Sequence, residues 1–215
     1  VSKYIGEKTD CKVVLVGEGP DEVCSSYMFN WNAPNGKELH EVAKEYVDNI
    51  HYYDCKRSDR CISNFGLEGR VPLLDPEVIE AYWKIPASWR HPKYKGIEKW
   101  WLRKAFEGMD IIPDDVLWRK KEAFSDGVSS KEKSWFEIIQ ETIDNIIDDS
   151  VSLDSDSPTK EAYFYKKIFI ELFGEKRLNI IPGFWQPKWC NNEGYVDPSA
   201  RVLDVYEKNE YDLVV

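Results

Sequence analysis

The stretch "KVVLVGEGPDE", Lys12 to Glu22, joins an aliphatic run directly to a turn with two glycines and three acids. The run from Val13 to Val16 is continuously apolar, which predicts a strand buried on both faces. In open α/β sheets, ligands bind outside the carboxyl ends of the strands, and Gly17 and Gly19 lie at such an end. Carboxylates crowded beside bare backbone are costly unless a cation lies among them. This junction is therefore the first place to look for chemistry.

Two interpretations of the turn remain open. Glycines let a backbone approach a ligand closely, and a helix starting near Asp21 would direct its free N–H groups at phosphate or carboxylate. Phosphate beside Glu18, Asp21 and Glu22 would be repelled unless a divalent cation lay between them, and Mg²⁺ typically takes one or two carboxylates plus phosphate oxygens. The alternative is an acidic helix N-terminus whose carboxylates only complement the helix dipole. The turn is neither a P-loop nor a G-x-G-x-x-G motif, so its pattern alone does not decide.

Most of the chain after this strand has the periodicity of helices. Apolar residues from Lys37 to about Asn64 recur at i, i+3, i+4 and i+7, which predicts one long amphipathic helix. Capping and proline signals predict further helices after Asp75-Pro76, over 97–109, from Pro113, along Trp135 to Ile147, and from Ser157-Pro158 to Gly174. The segment 183–215 has no period and is predicted to be an irregular C-terminal tail.

The sequence shows no second strand after Val16. A single strand cannot satisfy its own backbone groups and is not a stable sheet. We therefore expect a predominantly α-helical chain with one N-terminal buried strand, whose neighbouring strands lie upstream in a longer protein. The chain begins with Val1 rather than Met, which agrees with that expectation.

Composition narrows the class of protein. The 215 residues are 42% hydrophobic and include nine Trp, which predicts a folded globular chain. A net charge of −10 argues against a surface that binds nucleic-acid duplexes, and no apolar run approaches the ~20 residues of a membrane span. Five cysteines form no C-x-x-C pair and three histidines form no H-E-x-x-H motif. We therefore expect neither a disulfide framework nor a zinc site, and a reducing, cytoplasmic location.

A second candidate stretch is "WRKKEAFSDG", Trp118 to Gly127, in which three adjacent cations precede a Ser-Asp-Gly turn. A lysine held at the start of a rigid turn, such as Lys121, can act as a point charge on a phosphate. The alternative is a solvated basic end of a helix.

A third candidate stretch is "DCKRSDR", Asp54 to Arg60. Asp54 and Arg57 are i, i+3 neighbours on the predicted long helix, so their side chains can meet. Such a cation beside a paired acid can hold a substrate carboxylate or phosphate. The alternative is an ordinary ion pair within a helix.

These stretches together resemble the asparagine synthetases. "LVGEGPDE" is similar to the "SGEGSDE" turn of that family. Further motifs resemble the family's in the same order, from Cys11 to Arg201: "DCKRSDR", "GLEGRVPLLD", "GIEKWWLRKAFE", "WRKKEAFSDG" and "PKWCNNEGYVDPSAR". The last of these looks more like the animal type than the bacterial one. The resemblance implies that residues 1–215 are the C-terminal part of a synthetase domain with an α/β, adenine-nucleotide α-hydrolase-like (HUP) fold.

The resemblance also implies an activity. Such a domain uses ATP and Mg²⁺ to convert aspartate to β-aspartyl-AMP, releases pyrophosphate, and lets ammonia attack the activated carbonyl. The complete protein would be an ATP-dependent carbon–nitrogen ligase and a glutamine amidotransferase, since its ammonia comes from glutamine. The implied partners are aspartate, ATP and ammonia, with no nucleic acid or membrane, and a homodimer through regions outside this chain.

Individual residues match the family's functional positions. The implied catalytic residues are Glu18, as proton acceptor from the incoming ammonia, and Arg57 and Lys121, the latter on the phosphates of ATP. The implied metal ligand is Asp21. The implied nucleotide- and substrate-binding residues are Val16, Gly17, Gly19 and Asp54.

Two departures from the family pattern lead to an alternative. Val16 and Pro20 each stand where the family has serine, and no Ser-Gly-Gly-x-Asp-Ser pyrophosphate loop occurs in these residues. We therefore expect the chain by itself to be inactive, and the alternative is a non-catalytic relic acting as a helical binding module. A related ligase that forms a β-lactam or another amide shares the fold, but Lys121 and its flanks look like the asparagine-forming branch.

Overall fold

The computed structural model describes residues 1–124, 128 and 133–190. The chain divides into two compact units, Val1–Lys120 and Lys121–Val215, which are described separately. Most of the predicted tail 183–215 lies outside the described residues, as do Ser125 to Gly127 of the second candidate stretch.

The first unit consists mainly of helices and contains a small two-stranded sheet. Its strands are β1 (Val13–Leu15) and β2 (Glu68–Arg70). Its helices, in chain order, are α1 (Ser2–Lys8), α2 (Pro20–Val23), α3 (Gly36–Asn49), α4 (Asp54–Ser63), α5 (Pro76–Trp83), α6 (Ala87–Arg90), α7 (Trp100–Phe106) and α8 (Asp114–Leu117).

The sheet corrects two expectations from the sequence. β1 pairs in parallel with β2, with Val14 opposite Gly69, so a second strand does follow β1 in the chain. β1 is also not buried, since the exposed fractions of Val13 and Leu15 are 37% and 72%. The expectation of one isolated buried strand is therefore wrong. β2 was not predicted because Glu68–Arg70 consists of two charged residues and a glycine, with no alternation of apolar residues. Its pairing with β1 depends on hydrogen bonds between backbone groups.

The predicted long helix over 37–64 is also wrong, because it is two helices. A 3-10 turn, Ile50–Tyr52, follows α3, and Tyr53 has φ −117° and ψ −104°, outside the helical region. Apolar residues continue through this break, since Ile50 is buried, so their spacing does not reveal it. As a result Asp54 lies in the first turn of a new helix, α4, rather than in the middle of a long one.

Other helices agree with their capping signals. Asp75 accepts a hydrogen bond from the N–H of Glu77 at 2.8 Å, and Pro76 opens α5 as predicted. The predicted helix over 97–109 is shorter, because Lys99 adopts a left-handed conformation and α7 begins only after it. α8 follows Pro113, as predicted.

The core of the first unit fixes α2. Val23 and Cys24 are buried with Tyr82 of α5, and partly buried apolar side chains pack around them. The indole N–H of Trp83 donates to the carbonyl of Val23 at 3.0 Å. The turn between β1 and α2 is therefore held at both ends, by the sheet and by this core.

In the second unit, a helix α9 (Trp135–Asp144) precedes α10 (Lys160–Phe173). Ser134 and Glu137 form a capping box at the start of α9, and Gly174, with φ 82°, ends α10 as predicted. Thr159 caps α10, just after the predicted Ser157-Pro158 start. No helix in the described part of the chain combines the length and apolar character that crossing a bilayer requires.

Two histidines of the first unit are held in the neutral form by their contacts. The Nδ1 atom of His91 accepts the N–H of Lys93 at 3.1 Å, so its proton is on Nε2, which lies 3.2 Å from the carbonyl of Ala33. The Nδ1 atom of His40 lies 3.1 Å from Nη2 of Arg90. Burial lowers the pKa of both rings, and the Arg90 charge lowers the pKa of His40 further.

These contacts predict a loss of stability in mild acid. The folded histidines have a pKa below the ordinary value of 6.5, so the unfolded chain binds protons first as the pH falls. The contribution of these two histidines to the free energy of unfolding should be constant above pH 7 and fall below about pH 6.5. The fall should be under ~1 kcal/mol, because both rings are partly exposed. Urea unfolding at pH 7, 6 and 5 measures the total change, and the part due to the histidines is the difference between the wild type and H40N/H91N, because the raised pKa of Glu22 acts in the opposite direction in both. The variant H40N/H91N should show a smaller fall, and H51Q the full one; equal falls in all three would contradict the assignment.

Candidate functional site

The turn between β1 and α2 is shaped by its two glycines. Gly19 has φ 100°, and a Cβ atom placed on it would lie 2.2 Å from Cδ2 of Leu74. A Cβ on Gly17 would meet no atom within 4 Å. Gly19 is therefore required by the fold, whereas Gly17 leaves open space beside the backbone. The N–H of Val16 donates to the carbonyl of Arg70 at 2.9 Å, so the sheet sets the direction of the turn.

Arg57 joins the turn to α4. Its Nη2 atom lies 3.6 Å from Oε1 of Glu18 and hydrogen-bonds Oδ1 of Asp54. The predicted pair of Asp54 and Arg57 is therefore present, and the guanidinium also reaches a carboxylate of the glycine turn. Burial lowers the pKa of Arg57, but the charges of Asp54 and Glu18 and the hydrogen bonds to them together outweigh it, so the pKa is raised. Two of the predicted site stretches thus form one site in the first unit.

Asp21 has its own charged partner. Its Oδ1 atom lies 2.7 Å from Nζ of Lys99, and it accepts a hydrogen bond from the hydroxyl of Ser26. α2 spans only four residues. Because Asp21 and Glu18 are each paired with a cation from elsewhere in the fold, a helix dipole alone does not account for the acids of this turn.

Glu22 is the buried acid of the group, with an exposed fraction of 5%. Its Oε1 atom accepts a hydrogen bond from the hydroxyl of Tyr27, whose ring stacks on Phe29 with centroids 5.2 Å apart. Burial raises the pKa of Glu22, the bond from Tyr27 partly opposes this, and the charges of Asp54 and Asp21 raise it further. The carboxylates of the turn and of α4 therefore interact as one cluster.

Comparison with known proteins identifies the family. The model of the family described as "Asparagine synthase" matches residues 28–197. The chain belongs to the asparagine synthase family. It is 41% identical to the "Asparagine synthetase [glutamine-hydrolyzing]" of Gallus gallus, 39% identical to that of Homo sapiens and 38% identical to that of Rattus norvegicus. Each match covers 96% of this chain and 37% of the relative, so the chain spans little more than a third of the length of these relatives.

Membership of the asparagine synthase family raises the question of magnesium. Among the residues that the structure describes, no group of three or more His, Cys, Asp or Glu could hold a metal ion by itself. The acids of the turn nevertheless fit Mg²⁺ in its usual mode, in which one or two carboxylates are completed by phosphate oxygens and water. Asp21 is the predicted ligand, although the ammonium of Lys99 lies at its Oδ1 atom.

One predicted site residue and part of one motif of the resemblance fall in the second unit. Lys121 begins that unit, and its contact with the phosphates of ATP stays a prediction. The residues from Asn191 to Arg201 of the closing motif lie outside the described part of the chain.

Three contact residues of this site were not predicted from the sequence: Ser26, Tyr27 and Lys99. Lys99 lies in the "GIEKWWLRKAFE" motif, which carried part of the resemblance without a role for this residue. Its contact with Asp21 depends on a left-handed backbone and on residues far apart in the chain, and no local pattern signals either. Glu22 was recognised only as one of the acids that crowd the turn.

Proposed function

We propose that this chain forms part of the site at which a glutamine-hydrolysing asparagine synthetase amidates aspartate through β-aspartyl-AMP, at the expense of ATP. The observation that carries the proposal is the ion pair of Arg57 with Glu18. It joins two motifs of the asparagine synthase family at the carboxyl end of β1, where ligands of α/β folds bind.

The proposed roles of the residues are of three kinds: contact with the nucleotide, binding of the metal ion and contact with the reacting groups. The backbone of Val16, Gly17 and Gly19, which has open space beside it at Gly17, would lie against the adenylate, and Asp21 would bind Mg²⁺. Lys121 would lie on the phosphates of ATP. Adenylation concentrates negative charge on the departing pyrophosphate, so a bound metal ion supplies charge stabilisation there, as does a lysine.

The second step needs a proton acceptor. The nitrogen of ammonia attacks the activated side-chain carbonyl of the aspartyl group, AMP leaves with the electrons of the acyl–oxygen bond, and the excess proton on nitrogen must be removed. Glu18 is the proposed acceptor of that proton. Arg57 holds Glu18 and Asp54 on one guanidinium, so it positions both acids relative to the substrate.

We also propose a cofactor, a cellular location, an assembly and a nitrogen source for the complete protein. Magnesium dependence, a cytoplasmic location, a homodimer, ammonia supplied from glutamine, and the lack of nucleic-acid or membrane partners stay predictions.

The alternative of a non-catalytic binding module rests on Val16, on Pro20 and on the lack of a Ser-Gly-Gly-x-Asp-Ser loop in these residues. Pro20 is the first residue of α2, a position where proline loses no helical hydrogen bond. Val16 acts in the turn through its backbone N–H, which any residue except proline supplies. Neither substitution therefore disturbs the geometry of the turn, although Val16 still lacks the hydroxyl of serine. The geometry favours the enzyme over the binding module.

A pyrophosphate-release assay tests the proposed function. With ATP, Mg²⁺, aspartate and ammonia, we expect no release from the 215-residue chain, because it contains no Ser-Gly-Gly-x-Asp-Ser loop. The protein encoded by the complete reading frame should release pyrophosphate only when aspartate is present. Aspartate-dependent release by the chain alone would contradict the first expectation. No release by the complete protein would contradict the proposed function and support the binding module.

A further inference from the structure

The site contains a cation that the function proposed above does not use. The Lys99 ammonium lies 2.7 Å from Oδ1 of Asp21, and the two side chains are only 22% and 32% exposed. Asp21 is the residue to which the proposed function assigns Mg²⁺, so this inference rests on that assignment. A positive charge from the protein already lies where the metal would bind.

The backbone of Lys99 is held in an unfavourable conformation. Its φ of 57° and ψ of 25° lie in the left-handed region, which side chains other than glycine rarely adopt. Such conformations persist only when the surrounding structure imposes them, and they cluster at functional sites.

The residue before Lys99 shows what imposes this conformation. Glu98 is buried, and its Oε1 atom accepts the indole N–H of Trp31 at 2.9 Å. The carbonyl of Glu98 accepts Nε–H of Arg103 at 2.8 Å. Glu98 is thus fixed through both its side chain and its backbone, and α7 begins directly after Lys99. The start of the Lys99 side chain is therefore placed by the fold.

Asp21 is fixed in a similar way. Ser25 has φ 53° and is buried, and Ser26 is fully buried. The N–H of Ser26 donates to the carbonyl of Asp21 at 2.9 Å, and its hydroxyl donates to Oδ1. The contact of Lys99 with Asp21 therefore joins two fixed points, unlike a surface ion pair between two mobile side chains.

We propose that the Lys99 ammonium is the resident counter-ion of Asp21 and competes with a divalent cation for Oδ1. Mg²⁺ binds carboxylate oxygens at about 2.0–2.1 Å, so an ammonium on the same oxygen would lie within a few ångströms of the metal and repel it. Metal binding at Asp21 therefore requires Lys99 to leave that oxygen. Lys99 is a positioning residue in this scheme, because it holds Asp21 ready and sets how tightly the cation binds.

Metal binding in the absence of substrates tests this competition. Mn²⁺ serves as the probe, and its binding to the full chain is followed by electron paramagnetic resonance of free Mn²⁺. The variant K99G should bind Mn²⁺ about fivefold more tightly than the wild type, because a competing charge is gone. Glycine adopts the left-handed conformation readily, so K99G keeps the fold, which thermal unfolding verifies. K99R keeps the charge and should bind as weakly as the wild type.

The double variant D21N/K99G identifies the carboxylate involved. It should lose the gain in affinity that K99G shows, because the competition is for an oxygen of Asp21. The proposal is overturned if K99G binds Mn²⁺ no more tightly than the wild type, or if D21N/K99G keeps the gain. These measurements use neither ATP nor aspartate, so a failure of pyrophosphate release in the complete protein would reject the proposed function and leave this result standing.

Discussion

The variant R57M should lower aspartate-dependent pyrophosphate release by the complete protein about 100-fold, with little change in its stability. The Arg57 side chain is 67% exposed, although its partners Glu18 and Asp54 are only 27% and 26% exposed, and an ion pair of so exposed a cation contributes about 1 kcal/mol or less to folding. A charged group positioned at a reacting centre typically contributes about 3 kcal/mol to the transition state, which corresponds to a factor of about 100 in rate. Steady-state kinetics together with urea unfolding separate the two effects.

Arg60 provides a matched control on the same helix. Its Nη1 atom lies 3.3 Å from Oδ2 of Asp59, and both of these side chains are exposed. R60M therefore removes an arginine ion pair on the same helix, one in which both partners are exposed, without touching Glu18, and we expect it to retain full activity. R57K should recover only part of the activity, because the lysine side chain ends one bond short of Nη2, the atom of Arg57 that contacts both Glu18 and Asp54. Equal activity of R57M and R60M would show that Arg57 forms only a surface ion pair.

The variant G19A should lower the free energy of unfolding by about 3 kcal/mol. A residue other than glycine is strained at a φ of 100°, and the added methyl group would lie 2.2 Å from Cδ2 and 2.4 Å from Cγ of Leu74. Because Cγ is also too close, rotating the terminal methyl groups of Leu74 does not relieve the clash. Urea unfolding at pH 7.5, where the two histidines are neutral, gives the difference directly.

Gly17 is the control for this prediction. It has no positive φ, and a Cβ atom there meets nothing within 4 Å, so G17A should change the free energy of unfolding by less than about 0.5 kcal/mol. The double variant G19A/L74A should be less destabilised than the sum of its single variants, because the smaller side chain removes the clash but not the backbone strain. A cost for G19A no larger than that for G17A would contradict this account of the turn.

Local signals predicted those parts of the fold that local chemistry determines. Asp75-Pro76 and Gly174 mark the ends of helices because capping and proline geometry act within a few residues. β2 could not be predicted, since Glu68–Arg70 is held by backbone bonds to a distant strand. The break at Tyr53 was missed because apolar residues on both sides of it still face the core.

The candidate site likewise has contacts that the sequence predicted and contacts that it did not. The i, i+3 spacing predicted the pair of Asp54 and Arg57, and the roles proposed for the acids come from the resemblance to asparagine synthetases. The contacts of Arg57 with Glu18 and of Lys99 with Asp21 join residues from different helices and turns. Such contacts depend on how the elements pack, which the spacing of residues within one element does not specify.

The break at Tyr53 separates a helix that packs in the core, α3, from a mostly exposed helix that carries Arg57, α4. α3 buries Leu39, Val42, Ala43 and Tyr46, whereas α4 buries only Ile62. A substitution on α3 therefore acts mainly on folding, while one on the exposed face of α4, where Arg57 lies, leaves the core of the unit unchanged. Because of this break, substitutions can change the angle of α4, and with it the direction of Arg57, while the core residues that pack against α3 stay the same.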